Sequence, residues 1–420
     1  MERLKSKRGK TFKNGVKPGH ILLICLLLIF HQAYGRKSNK LRSEDGEEGE
    51  IEHFEIFKED FAHVAGPFMI AFWVFAAGLS RVVFHMIPKM HEVLPESCFL
   101  IIYGIVIGFI IFCTSTKPPL TFTPELFFLL LLPLIIFDAG YFMPNRMFFE
   151  HLGTILLMAV IGTVWNMLTI GGSLYACGLA GWFGDDPPDI LETFLFSSLI
   201  SAVDPVAVLA LFDEIKAEEI IYIIVFGESL LNDGVTVVLY DVVEAFVVTG
   251  QENITTQDIG FGVLSFFVVA GFGTCIGIIW GYIAGFLSRF TKNATILEPI
   301  MIFAMGFLSY YTAEMFKLSA ILSITAFGIT CKNYSERNMS PNSSVNLKFT
   351  SKMMASASET IIFIFLGIVT VSAKHDWNWG FVGFTILFAS VYRTLGRPLN
   401  HTYSFPFQIK YFIQSYQRLS

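Results

Sequence analysis

The run Phe226-Gly-Glu-Ser-Leu-Leu-Asn-Asp-Gly234 places two carboxylates, an amide and a hydroxyl within an otherwise apolar stretch. On a helix Ser229 and Asp233 are four residues apart and share a face, and Glu228 and Asn232 share the adjoining stripe. Their oxygens are hard ligands, suited to a small cation such as sodium and not to a soft metal. Burial favours the neutral form of a carboxyl, whereas a bound cation favours the ionised form, so proton and cation compete for Asp233. Competition of that kind yields exchange. With the neutral Asn232 beside a single carrier, one cation moves per proton and the cycle is electroneutral; an aspartate at that place would admit a second proton.

The preceding apolar segment holds Ser201-Ala-Val-Asp204-Pro205-Val-Ala-Val208. Pro205 has no amide proton and its ring clashes with the carbonyl of Ser201, so the helix is expected to break there. Freed backbone oxygens at membrane depth are tolerated only where they line a cavity. A broken helix beside a helix carrying Asp233 is the layout of a secondary transporter's ion site. An ionisable residue in mid-span costs roughly 2.5 to 3.5 kcal/mol, so each needs a partner or a role. Asp138, Asp204, Glu228, Asp233, Glu314 and Glu359 stand away from the ends of the expected helices and fall under that demand.

The elements that must position these groups are membrane helices. Apolar residues make up 54% of the 420 and charged residues 15%, too little charge to cover a soluble domain of this size. Continuous apolar runs of spanning length are read near 61–87, 97–113, 121–142, 151–182, 190–213, 219–249, 259–287, 295–317, 318–331, 350–372 and 377–395. The fold expected is an all-α polytopic membrane bundle. Gly277, Gly281 and Gly285 form a small-residue face for close helix packing. The cysteines are scattered and show neither metal-site nor disulfide spacing, and no basic patch suggests nucleic acid.

Residues 1–35 read as a signal peptide: lysines and Arg8, an apolar core at Ile21 to Phe30, then Ala33-Tyr34-Gly35. Residues 36–60 read as an acidic extracellular segment. If residue 36 is outside, the inner loops carry Arg81, Lys89, Arg146, Arg289, Lys292, Lys332, Arg337, Lys348 and Lys352, in accord with the positive-inside rule. The sequon at Asn253 then faces outward and is available for glycosylation, while those at Asn293, Asn338 and Asn342 face inward.

Four runs resemble the signatures of the animal plasma-membrane sodium/proton exchangers of the cation/proton antiporter superfamily. They are Asp138-Ala-Gly-Tyr-Phe142, Ala202-Val-Asp-Pro-Val-Ala-Val208, Phe226 to Asp233, and Ser358-Glu-Thr-Ile-Ile-Phe-Ile-Phe-Leu-Gly367, in family order within residues 61 to 396. The resemblance implies a homodimer of thirteen-span protomers with an inverted-repeat fold, discontinuous helices and an elevator-like motion. It implies sodium/proton antiport that regulates intracellular pH and sodium uptake, with no cofactor beyond the transported Na+ and H+. Residue types alone do not separate Na+ from Li+ or K+. Asp233, Asn232, Asp204, Asp138 and Ser229 are the implied ion-site residues. Glu228, Pro205, Glu314, Glu359 and Arg393 are implied in structure or charge pairing. Phe127, Leu131, Pro133 and Leu134 lie in the segment linked to amiloride-type inhibitors, where Pro133-Leu134 departs from the family's two consecutive prolines. The implied address is the plasma membrane, with apical surface or recycling endosomes as alternatives.

The organisation expected is 61–250 as a first six-helix repeat with the ion site, 259–287 as a linking helix, 295–396 as an incomplete second repeat and 397–420 as a divergent tail. After Gly396 the family continues to an arginine-bearing broken helix that has no match in Arg397 to Ser420. A second reading therefore stands beside antiport: a transport-inactive chain able only to associate with full-length protomers.

Overall fold

The computed structural model describes residues 61–86, 94–113, 124–184, 187–204, 208, 212, 218–291, 297–372 and 377–396. The expected signal peptide, the acidic segment at 36–60, Pro205 and the tail at 397–420 lie outside the described residues. Every regular element among those described is helical. In chain order they are α1 (Phe61–Met86), α2 (Glu96–Cys113), α3 (Pro124–Phe142), the short α4 (Asn145–Glu150), α5 (Leu152–Leu179), α6 (Ile190–Ile200), α7 (Glu219–Thr249), α8 (Thr256–Leu287), α9 (Leu297–Met315), α10 (Ala320–Ser335), α11 (Pro341–Ser372) and α12 (379–396). Six of these, α2, α3, α5, α7, α8 and α11, are long and apolar enough to cross a membrane by themselves.

Local chemistry sets the ends. Asp189 with Glu192, and Thr255 with Asp258, form capping boxes that satisfy the first amides of α6 and α8. Gly250 ends α7 at φ 83°, a backbone conformation that glycine adopts at no steric cost. The apolar run read near 190–213 is not one helix. It stops at Ile200, and Ser201 to Asp204 are non-helical, as the proline four residues beyond Ser201 requires.

α8 shows why the bilayer is the solvent. Ile259, Phe261, Val263, Leu264 and Phe267 are exposed on it, while its glycine face is buried against α10. A Cβ at Gly277 would collide with the Ser323 carbonyl oxygen, one at Gly281 would lie 2.7 Å from Thr330 Cβ, and one at Gly285 2.6 Å from Tyr334 Cβ. Close backbone approach of this kind replaces the hydrophobic effect as the packing force between helices in lipid. Gly277→Leu is therefore expected to abolish folded protein, since overpacking costs about 1 to 3 kcal/mol even where side chains can yield, and here a backbone carbonyl stands in the way. Gly153→Leu, where a Cβ meets nothing within 4 Å, should be tolerated. Monodispersity of a fluorescent fusion on size exclusion tests both.

The core lies among α3, α9 and α10, around Phe137, Tyr310 and Phe327. α3 carries a π-helical turn at Phe127–Leu131. Pro133 cannot donate to the carbonyls four and five residues behind it, those of Leu129 and Phe128. The hydroxyls of Tyr311 and Tyr310 donate to them instead, at 2.6 and 2.7 Å. Leu131, Pro133 and Leu134, from the expected inhibitor segment, are buried, and Phe127 is half-buried.

Candidate functional site

α7 packs its polar stripe against the point where α6 gives out. Ser229 is buried and its hydroxyl donates to the carbonyl of Val203, in the non-helical stretch, at 2.7 Å. Asn232, 3% exposed, extends its amide nitrogen to the Ser201 carbonyl at 3.4 Å. The two bonds, one turn of α7 apart, fasten the break in α6 to the helix that carries Asp233. Asp233 follows directly, half-buried, with Asp204 within electrostatic reach. Asp204 itself is exposed at the end of the non-helical stretch. The arrangement sets a half-buried acid beside an accessible one.

Asn232 is held from two further sides. Its amide oxygen lies 2.8 Å from the Thr163 hydroxyl of α5 and 3.1 Å from the Thr236 hydroxyl one turn along α7. Thr236 donates to that oxygen, while the one Thr163 hydrogen is shared between Asn232 and the Ala159 carbonyl 2.6 Å away, so these contacts orient Asn232 beside Asp233. Neither threonine is among the expected site residues; the helical repeat would have found Thr236, four residues beyond Asn232. Thr163 follows a π-helical turn at Leu157–Gly162, and a threonine 69 positions away in an apolar run carries no local signal.

A second set of charges gathers on α11. Asp138 of α3 accepts a 2.7 Å bond from Ser351, with Lys352 and Lys348 nearby. Glu359, half-buried two turns further, feels Arg81, Asp204, Asp138 and Glu96. Arg81 of α1 pairs with Glu96 of α2 at 2.8 Å and also bonds Ser356 of α11. Asp204 thus stands within reach of both Asp233 and Glu359. Glu228 is half-buried on α7.

Two expected residues lie elsewhere. Glu314, read as mid-span, is the penultimate residue of α9 and exposed, because the helix turns at Lys317 with φ 56°. It keeps company with Asp241 and Lys317. Asn253 is exposed in a short 3-10 turn between α7 and α8. Arg393, by contrast, enters the site region. From α12 it donates to the carbonyls of Ile200 and, at 3.0 Å, Ala202. A cation at the carboxyl end of α6 offsets the negative pole of that half-helix.

A polytopic helical membrane protein with an interrupted helix laid against a carboxylate-bearing one is what these elements define. The chain belongs to the sodium/hydrogen exchanger family, whose transmembrane model matches residues 69–412. It is 49% identical over 352 residues to sodium/hydrogen exchanger 3 of Homo sapiens, covering 84% of this chain and 42% of that protein. It is likewise 49% identical over 341 residues to sodium/hydrogen exchanger 2 of Oryctolagus cuniculus, covering 81% and 42%. The chain thus spans less than half the length of these relatives. Among solved structures it is similar to the sodium proton antiporter MjNhaP1 from Methanocaldococcus jannaschii at pH 8, with a TM-score of 0.61 and 16% identity over 79% of this chain and 78% of that one. At that identity the likeness is one of fold.

Proposed function

We propose that this chain exchanges extracellular Na+ for intracellular H+ across the plasma membrane, with Asp233 as the carrier that both ions share. The observation that carries the reading is the meeting of Asp233 and Asp204 at the interrupted end of α6, where Ser229 and Asn232 tie down two backbone carbonyls. Carboxylate, hydroxyl and carbonyl oxygens are the donor set of a small hard cation. When Asp233 is ionised a sodium ion offsets its charge; when the ion leaves, a proton does so. The half-burial of Asp233 makes one of the two obligatory, because a bare carboxylate there lacks water to solvate it.

Asp204 acts as the accessible member that draws the cation in, while Asp138 and Glu359 extend the acidic path along α11. Asn232, neutral and held among the Thr163 and Thr236 hydroxyls, keeps the count at one proton per sodium. An aspartate there would also face the Ser201 carbonyl without a proton to offer it. The protomer works as a homodimer, as the family resemblance implies.

Expression in exchanger-deficient cells tests the proposal. After an acid load, extracellular sodium should drive recovery of intracellular pH. Under voltage clamp the same exchange should produce no sodium-dependent net current. Absence of recovery despite surface expression overturns antiport by this chain, and a net current overturns the one-for-one count.

A further inference from the structure

Glu298 stands in the first turn of α9 and is 1% exposed, less than any other acid among the described residues. Its Oε2 accepts the Ser340 amide at 3.4 Å, whereas its Oε1 has no hydrogen-bond partner among those residues. The carboxyl lines a cavity of about 10 Å³ where the end of α8, the start of α9 and the connection from α10 to α11 meet, together with Ser288, Thr291, Met305 and Met339. No basic side chain lines it. None of these elements carries Asp138, Asp204 or Asp233, so the ion site leaves this acid unexplained.

The hydroxyls that share the cavity have already given away their protons. Ser288 donates to the Gly285 carbonyl at 2.8 Å, and Thr291 to the Ser288 carbonyl at 3.2 Å. A hydroxyl has one hydrogen, so each can offer only lone pairs to the cavity. One lone pair of Ser288 takes the Asn338 amide at 2.9 Å, which leaves one for a ligand. Ser288 also closes α8, and the last carbonyls of a helix are its negative pole. Carboxylate, hydroxyl oxygens and helix end thus all favour positive charge at the same place. Met305 and Met339, both buried, form the apolar wall.

We propose that Glu298, Thr291 and Ser288 hold a single small monovalent cation, sodium by size and charge, at a site separate from the transport carrier. A buried carboxylate is costly unless a counter-charge answers it. The cavity has room for about one water-sized particle, which shuts out an organic cation and admits a bare sodium ion. One carboxylate balances one positive charge, whereas calcium gathers about six to eight oxygens. By the positive-inside rule the connection with Arg289 is cytoplasmic, so the ion enters from that side. Bound there, it fastens the end of α8 to the start of α9 and, through the Ser340 amide, to the foot of α11, the helix of Ser351 and Glu359.

The melting midpoint of the detergent-purified full chain tests this, as sodium chloride replaces N-methylglucamine chloride at constant ionic strength. The chain carries Asp233→Asn, to remove the carrier proposed above. N-methylglucamine screens charge equally but is too large for the cavity. Sodium should raise the midpoint by about 2 to 4 °C. Adding Glu298→Gln should abolish that rise. Adding Thr291→Val, which keeps the shape and removes one oxygen, should move the half-maximal sodium concentration severalfold upward. The proposal is overturned if the parent shows no rise, or if Glu298→Gln leaves the rise undiminished. Should Glu298→Gln yield no monodisperse protein, Thr291→Val decides, and an unaltered sodium titration overturns the site. A wrong choice of carrier would show differently, as a smaller rise that persists in Glu298→Gln.

Discussion

Asp233→Asn is expected to reduce sodium-driven pH recovery to the level of untransfected cells, with surface expression unchanged. The substitution is isosteric, and none of the hydrogen bonds that lock α7 to the break in α6 uses the Asp233 carboxylate: Ser229 keeps Val203, and Asn232 keeps Ser201, Thr163 and Thr236. Fold and trafficking should therefore survive. What disappears is the charge. A unit pair at about 4 Å in an effective dielectric of about 20 is worth about 4 kcal/mol, roughly a thousandfold in cation affinity. The proton that had to be exchanged is lost with it, so raising external sodium cannot restore turnover. Asp204→Asn should weaken sodium dependence less, because Asp204 is exposed and solvent screens its field. The ordering is read from initial recovery rates across a sodium titration. Asp233→Asn cells that recover at even a tenth of the wild-type rate would show that the carrier is another group.

The helices were legible because spanning length and continuous apolarity are properties of single segments: α7 falls on the residues read for it, and α2, α3 and α8 begin or end within three positions. The interruption in α6 was legible for a similar reason, since a proline acts on the carbonyl four residues behind it. The Ser229 and Asp233 face came from the helical repeat alone. What the sequence withheld is contact across segments. No periodicity could join Thr163 to Asn232, Arg81 to Ser356, or Ser351 to Asp138, as each pair is brought together only when separate helices pack. The π-helical turns escaped too. One extra residue in a turn leaves the apolar pattern intact, and at Phe127–Leu131 it is compensated by two tyrosines some 180 positions downstream. Glu314 misled because the apolar run continues past the turn at Lys317.

Arg393→Gln should lower the thermal midpoint and raise the sodium concentration needed for half-maximal exchange. The argument begins at the end of α6, where the last carbonyls of a helix have no intrahelical donor. Ser201, between the Ile200 and Ala202 carbonyls, is fully buried, so their donors must come from the protein. The Arg393 guanidinium supplies donors to Ile200 and Ala202, on either side of Ser201, and its charge opposes the negative pole of the half-helix. Hydrogen bonds to a charged group contribute about 1.5 to 3 kcal/mol each, so loss of the pair is a large fraction of a marginal stability. Arg393 is itself held in place, since α12 packs Phe381 and Phe384 against Phe183 and Trp182 near the start of α6. Both bonds leave one terminal nitrogen of Arg393, and Gln is shorter and brings no charge. Lys restores the charge without the planar fork, and should fall between the two. Ser201 lies between the two carbonyls and Val203 directly follows them, so the same loosening must reach the bonds that Asn232 and Ser229 make to these residues from one turn apart on α7. A fluorescence-based melting curve and a sodium titration on the same preparations separate these effects. If Arg393→Gln melts with the wild-type chain and exchanges with unaltered sodium dependence, the broken end of α6 is held by something other than this arginine.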